Sequence, residues 1–162
     1  SELTLLEGYL WGKGDPKKAF DKAIENSNKV AMSLSDLFCV ERHKNDFLDL
    51  VKNKVDITFT NEQEIIALAN AKSFDEVISF IKQIKKHVVI TRGAKGSVVI
   101  NNEKVFECAA KTNLNIVDLT GAGDLFAAGY LHGQINNLSI ENSLDKATTL
   151  SSKVIQTIGA RL

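Results

Sequence analysis

One proline, two cysteines, one methionine and one tryptophan are all that the 162 residues hold of these types. A lone Pro16 leaves no Pro-rich linker, and no Gly- or Ser-rich stretch divides the chain, so a single domain over residues 1–162 is expected. Cys39 and Cys108 can form at most one bridge, which excludes a disulfide scaffold and points to a reduced, cytoplasmic protein. The longest apolar run, Ile65–Ala69, is far too short to span a bilayer, and no basic-then-apolar leader opens the chain. No charge of one sign predominates: 20 Lys+Arg balance 20 Asp+Glu, which leaves no electrostatic footprint for nucleic acid or a membrane surface. Ser1 stands where Met would, and Leu3–Leu6 already read as a strand, as expected of a chain that begins inside a longer one.

What is present is an ordinary globular composition, 44% hydrophobic and 25% charged, with clear periodicity. Asp15-Pro16 opens a helix with Ala19, Phe20, Ala23 and Ile24 on one face. Strands are expected at 30–34, 55–59 (alternating) and 88–90, with helices at 43–52, from a Thr60–Gln63 capping box to Ala69, and from Ser73 through Ile84. Gly93, Gly96 and Asn101-Asn102 turn the chain through a hairpin of 97–100 and 105–106. A strand at Ile116-Val117 and helices at 123–134 and 140–158 complete the reading. Strand–helix alternation followed by a hairpin predicts a layered α/β fold with a mostly parallel sheet, whose ligands bind beyond the carboxyl ends of the strands.

The richest segment is Asp118-Leu119-Thr120-Gly121-Ala122-Gly123-Asp124, which leads into the apolar helix beginning Leu125-Phe126-Ala127-Ala128. Small residues at 121–123 let backbone N–H groups face outward at the positive end of a helix, an anion site that suits phosphate. An aspartate in a first turn and glycines that merely turn the chain would account for a bare Gly-Ala-Gly-Asp. Flanking Asp118 and Thr120 favour the phosphate reading. A carboxylate beside a phosphate cradle makes sense if a hydroxyl between them must lose its proton. Asp124 would then accept that proton as the hydroxyl attacks the γ-phosphorus of a nucleotide.

This segment resembles the Asp-Thr-x-Gly-Ala-Gly-Asp turn of the PfkB carbohydrate kinase (ribokinase-like) family, with Leu119 replacing the usual Thr. Three further matches follow in chain order: Asn61-x-x-Glu64, the turn Thr91-x-Gly93-x-x-Gly96, and a terminal Gly159-Ala160. The resemblance covers the chain but only the second half of the family's usual length, without the part that carries the lid. It implies the C-terminal portion of a three-layer α/β/α ribokinase-like fold, lid absent, and ATP-dependent transfer to a primary hydroxyl of a nucleoside or sugar.

By resemblance, Asp124 is the base and Gly121, Ala122 and Gly123 the anion hole. Asn61 contacts phosphate, Glu64 organises Mg²⁺ through water, and Thr91, Gly93 and Gly96 lie along the nucleotide. Asp118, Thr120 and Gly159 belong to the loop for a monovalent cation, usually K⁺. Residues 30–43 with 118–131 look most like bacterial adenosine-kinase-type members, which puts a nucleoside acceptor ahead of a simple sugar. The alternative is a truncated nucleotide-binding fragment without turnover. Such a fragment would expose a sheet edge and an apolar face, and self-association through the N-terminal strand is expected.

Other patterns fail on inspection. Gly8 to Gly14 lacks the spacing and the Ser/Thr of a Walker loop, and Phe126 stands where a dinucleotide fingerprint needs its third glycine. Cys39 and His43 lack a second metal-ligand pair, and His87 and His132 read as surface or helix-face residues. Lys82, Lys85 and Lys86 read as a solvated helix end, and no Gly-x-Ser-x-Gly elbow is present.

Overall fold

The structure, a computed structural model, describes residues 1–12 and 14–161. Lys13, the centre of the rejected Walker-like segment, lies outside the described residues. Six strands form one sheet in the order β1 (Leu3–Glu7), β2 (Lys29–Ser33), β3 (Ile57–Asn61), β4 (His87–Thr91), β5 (Ser97–Asn101) and β6 (Lys104–Cys108). The chain divides into two compact units, one of residues 1–91 with 100–105, the other of residues 92–99 with 106–162. Strands β5 and β6 contribute residues to both.

In the first unit, β1 to β4 are parallel, with register pairs Leu3–Lys29, Ala31–Ile57 and Ile57–His87. Helices α1 (Pro16–Glu25), α2 (Leu37–Arg42), α3 (Lys44–Asp49), α4 (Glu62–Ala69) and α5 (Phe74–Ile84) connect them. Parallel strands carry crossover helices and are buried on both faces, so their inner segments read as continuous apolar runs. Val30, Ala31 and Met32 of β2 and Val88, Val89 and Ile90 of β4 are accordingly buried throughout.

Several expectations shift here. The alternation seen at 55–59 suggested a half-buried strand, but β3 starts two residues later and its Thr58 and Thr60 are buried with their apolar neighbours. Asp56 causes the offset: its N–H donates to the Val30 carbonyl at 2.8 Å and its carboxylate accepts the Val30 N–H at 2.7 Å, which fixes where pairing begins. The helix expected at 43–52 is α3 followed by a π-helical turn at Leu50–Lys54. Ahead of it lies α2, a helix not anticipated, whose cap Asp36 accepts the Cys39 N–H at 2.7 Å. His87 is not a surface residue; it opens β4 half-buried.

The second unit is dominated by the antiparallel pairing of α6 (Ala122–Ile135) and α7 (Ile140–Val154). α7 ends at Val154, four residues earlier than expected, and the chain continues in turns. Small residues allow the helices to approach: a Cβ on Gly133 would run into Ser143 Oγ and stand 2.9 Å from Ser143 Cα, and one on Gly129 would stand 2.8 Å from Ala147 Cα. Gln134 Nε2 closes the contact by donating to Ser143 Oγ at 2.9 Å. Ile116-Val117 form no strand and are exposed, because Val117 N–H is drawn onto the Ile155 carbonyl at 2.8 Å.

Two predictions follow from this packing and burial. Gly133→Ala gains helix propensity but overpacks against Ser143, and should lose about 1–2 kcal/mol in denaturant unfolding. Gly123→Ala meets nothing within 4 Å and should be neutral or stabilising, so equal losses at both positions would refute the packing argument. For His87, burial, aided by the Lys29 charge, pushes the imidazole from 6.5 down to about 4. The unfolded chain therefore takes up a proton near pH 6.5 that the folded chain refuses until about pH 4, and stability falls as pH drops through that window. The limiting slope for one proton is about 1.4 kcal/mol per pH unit. Denaturant midpoints of the wild type and His87→Gln should diverge over this range; parallel curves would rule His87 out as the cause.

Candidate functional site

In the first unit the carboxyl ends of β3 and β4 bring Asn61 and Thr91 into register as neighbours. Asn61 caps α4, and the capping box is Asn61–Glu64, not the Thr60–Gln63 pair read from the sequence. Asn61 Oδ1 accepts the Glu64 N–H at 2.8 Å, while the Asn61 N–H donates to Glu64 Oε2 at 2.9 Å and Asn61 Nδ2 to Oε1 at 2.8 Å. The Thr60 hydroxyl adds a donor to Oε2 at 3.2 Å. Glu64 is only 4% exposed, and burial raises its carboxyl pKa; the Asn61 N–H and the Thr60 hydroxyl pull the other way, and the Asp36 charge adds to the rise. Sequence reasoning named Thr60 only as a helix cap with Gln63 and missed its place as a side-chain donor to Glu64.

The segment after β4 belongs to the second unit. Gly93 opens a 3-10 turn at φ 57° and Gly96 closes it at φ 87°, with the Arg92 N–H donating to the Gly96 carbonyl at 2.8 Å. A side chain at Gly96 would run into the Cys108 carbonyl oxygen, so the turn itself demands this glycine. Gly93 has open space around it.

The loop from Asp118 to Asp124 docks on the turns that follow α7. The Asp118 N–H, like that of Val117, donates to the Ile155 carbonyl, at 3.2 Å. Asp118 Oδ1 accepts the Thr120 N–H at 2.9 Å and the Thr120 hydroxyl at 2.7 Å, and Oδ2 accepts the Gly159 N–H at 3.0 Å. These donors, the Thr120 hydroxyl first, hold the Asp118 carboxyl below the usual carboxylate range. Gly121 sits at φ 77°, and a Cβ there would lie 2.6 Å from the Ala160 Cβ. Gly159 and Ala160 thus meet the loop at both its first residue and its glycine, and the structure brings Asp118, Thr120, Gly121, Gly159 and Ala160 together.

Gly121 caps α6, which puts Ala122, Gly123 and Asp124 in the first turn. The Ala122 N–H bends back to the Leu119 carbonyl at 3.2 Å and the Leu125 N–H bonds the Gly121 carbonyl at 2.9 Å. Among the described residues the N–H groups of Gly121, Gly123 and Asp124 have no acceptor, and the exposed Asp124 carboxylate has no donor. Amides without acceptors at the positive end of a 14-residue helix form a place for an anion.

No group of three or more His, Cys, Asp or Glu side chains among the described residues is arranged to hold a metal ion. Glu64 is a hard oxygen donor, of the kind that suits a cation keeping most of its ligands as water and phosphate. No helix among the described residues is long and apolar enough to cross a membrane.

Comparison with known proteins agrees with this architecture. The structure superposes on the adenosine kinase from Sinorhizobium meliloti with a TM-score of 0.95 and 36% identity, over 100% of this chain and 51% of that one. A probable sugar kinase protein from Rhizobium etli gives 0.92 and 34%, over 99% of this chain and 50% of that one. The adenosine kinase of Saccharomyces cerevisiae is 30% identical over 149 residues, 85% of this chain and 44% of its own length. The chain therefore spans about half the length of these relatives. Residues 13–162 match the pfkB family carbohydrate kinase profile, and with the sheet and glycine loop described above, the chain belongs to that family.

Proposed function

We propose that this chain carries the phosphate-binding and proton-accepting portion of a longer kinase, residues 1–162 acting as one part of it, and that the kinase transfers the γ-phosphoryl group of ATP to a primary hydroxyl of a nucleoside or sugar. The observation that carries the reading is the first turn of α6, where amides without acceptors stand next to a carboxylate without donors. Asp124 accepts the proton of the attacking hydroxyl as the new oxygen–phosphorus bond forms and the bond to the bridging oxygen of ADP breaks. The N–H groups of Gly121 and Gly123, with Ala122 once its bond to Leu119 opens, meet the negative charge that develops on the phosphoryl oxygens.

Asn61 offers its second amide hydrogen to a phosphate oxygen, and Thr91, Gly93 and Gly96 line the nucleotide. Glu64, whose carboxylate already takes three hydrogen bonds, would hold Mg²⁺ through water, and the ion when bound would neutralise phosphate charge. Asp118, Thr120 and Gly159 hold the loop that would take K⁺. Adenosine kinases among the relatives support a nucleoside acceptor ahead of a sugar.

Asp124→Asn tests the base. With ATP and adenosine, ribose or fructose offered in turn, turnover should fall by roughly 10²–10⁴-fold while ATP binding stays within about twofold. Unchanged turnover removes Asp124 as the base. ATP binding by the wild type with no transfer to any acceptor would favour the binding-only alternative.

A further partner is a second copy of the chain. β1 lies at one end of the strand order, and Leu5, Tyr9, Leu10, Leu37 and Phe38 of the same unit are exposed, Phe38 to 67%. Unpaired edges and apolar patches promote association. Sedimentation velocity should therefore give a concentration-dependent increase above monomer, and a clean monomer at high concentration would refute this.

A further inference from the structure

We propose that Thr60 is a positioning residue that sets the Glu64 carboxylate through its hydroxyl, an inference that rests on the reading of Glu64 as the residue organising Mg²⁺. Thr60 lies in β3 in register with Ile90 and is 6% exposed, a position that β-branched packing alone would fill with valine. A hydroxyl there must find an acceptor, since a buried one left unbonded is costly. Its Oγ1 stands 3.2 Å from Glu64 Oε2 and 3.1 Å from the Asn61 carbonyl, and its one proton goes to the carboxylate, the stronger acceptor of the two.

The three donors to Glu64 are unevenly divided. Oε2 receives the Asn61 N–H and the Thr60 hydroxyl, whereas Oε1 receives Asn61 Nδ2 alone. Oε2 is thereby the anchored oxygen and Oε1 keeps more of its lone-pair capacity for an outside partner. Asn61 by itself bonds both oxygens and resists exchange of the two only weakly. The Thr60 hydroxyl makes the two ends of the carboxylate inequivalent and selects one orientation. Its role differs from that of the capping box, which closes on backbone amides and does not need residue 60.

The test is calorimetric titration of the whole chain with ATP, in Mg²⁺ and in EDTA, for the wild type, Thr60→Val, Thr60→Ser and Glu64→Gln. Thr60→Val should lose roughly three- to tenfold of the affinity gained from Mg²⁺, with no change in EDTA, and Thr60→Ser should restore it. Thermal melts accompany each variant. A Thr60→Val chain that matches the wild type in Mg²⁺, or loses affinity equally in EDTA, overturns the proposal, because the hydroxyl is then either idle or merely structural. A Glu64→Gln chain that keeps the full Mg²⁺ increment overturns the magnesium reading of Glu64, and the Thr60 role with it. Equal wild-type affinity in Mg²⁺ and EDTA overturns both.

Discussion

The glycine loop exists in its present form because the end of the chain holds it. Ile155 offers one carbonyl to two successive amides, those of Val117 and Asp118, and the Gly159 N–H donates to the Asp118 carboxylate across 41 residues. Gly121 can then lie against Ala160 only because it has no side chain and tolerates a positive φ. The start of α6 is fixed by that contact, and with it the direction of the first-turn amides. Everything proposed for Asp124 depends on this docking, although Asp124 takes no part in it. The loop carries little apolar burial of its own: Ile116, Val117 and Leu119 are all exposed, so polar contacts must order it.

In the first unit the corresponding constraint is the mutual closure of Asn61 and Glu64. Each satisfies the backbone amide of the other, and the amide and carboxylate side chains then bond directly. A carboxylate placed in a buried position is expensive unless donors surround it, and three donors within two residues of sequence provide this without any long-range partner. The same bonds hold the Glu64 carboxylate in the first turn of α4.

Much of this was legible in the sequence, and the misses have identifiable causes. Asp15-Pro16, Ser73 and the turn at Gly93 to Gly96 act locally, through caps and dihedral angles, and local chemistry reads directly. Gly159-Ala160 was recognisable as facing the loop only by resemblance, since no local pattern links residue 118 to residue 159. Thr60 failed as a cap because β3 runs through Asn61, two residues beyond its apolar stretch, and Asn61 itself caps α4. Val117 is apolar and β-branched, yet its amide is claimed by Ile155, a tertiary contact that propensity cannot foresee. Burial of Thr58 and Thr60 was equally hidden, because a threonine in a half-buried strand and one in a parallel core look the same in sequence.

Three carboxylates in these motifs occupy three different environments, and the contrast bears on which can take a proton. Glu64 is buried among donors that all favour its ionised form but do not overcome burial, so its affinity for a proton is raised while access to it is poor. Asp118 is reached by solvent, but a hydroxyl and two backbone amides hold its oxygens, which makes it a weaker base and a fixed strut. Neither suits repeated proton transfer. Asp124 alone among the three has an exposed carboxylate with no donor from the described residues, on a helix end whose amides can hold an anion beside it. A proton acceptor needs an open lone pair and a substrate held within reach more than it needs high basicity. The division follows from hydrogen bonding: the bonded carboxylates build the loop and the first turn of α4, and the one left without donors is the one proposed to take the proton.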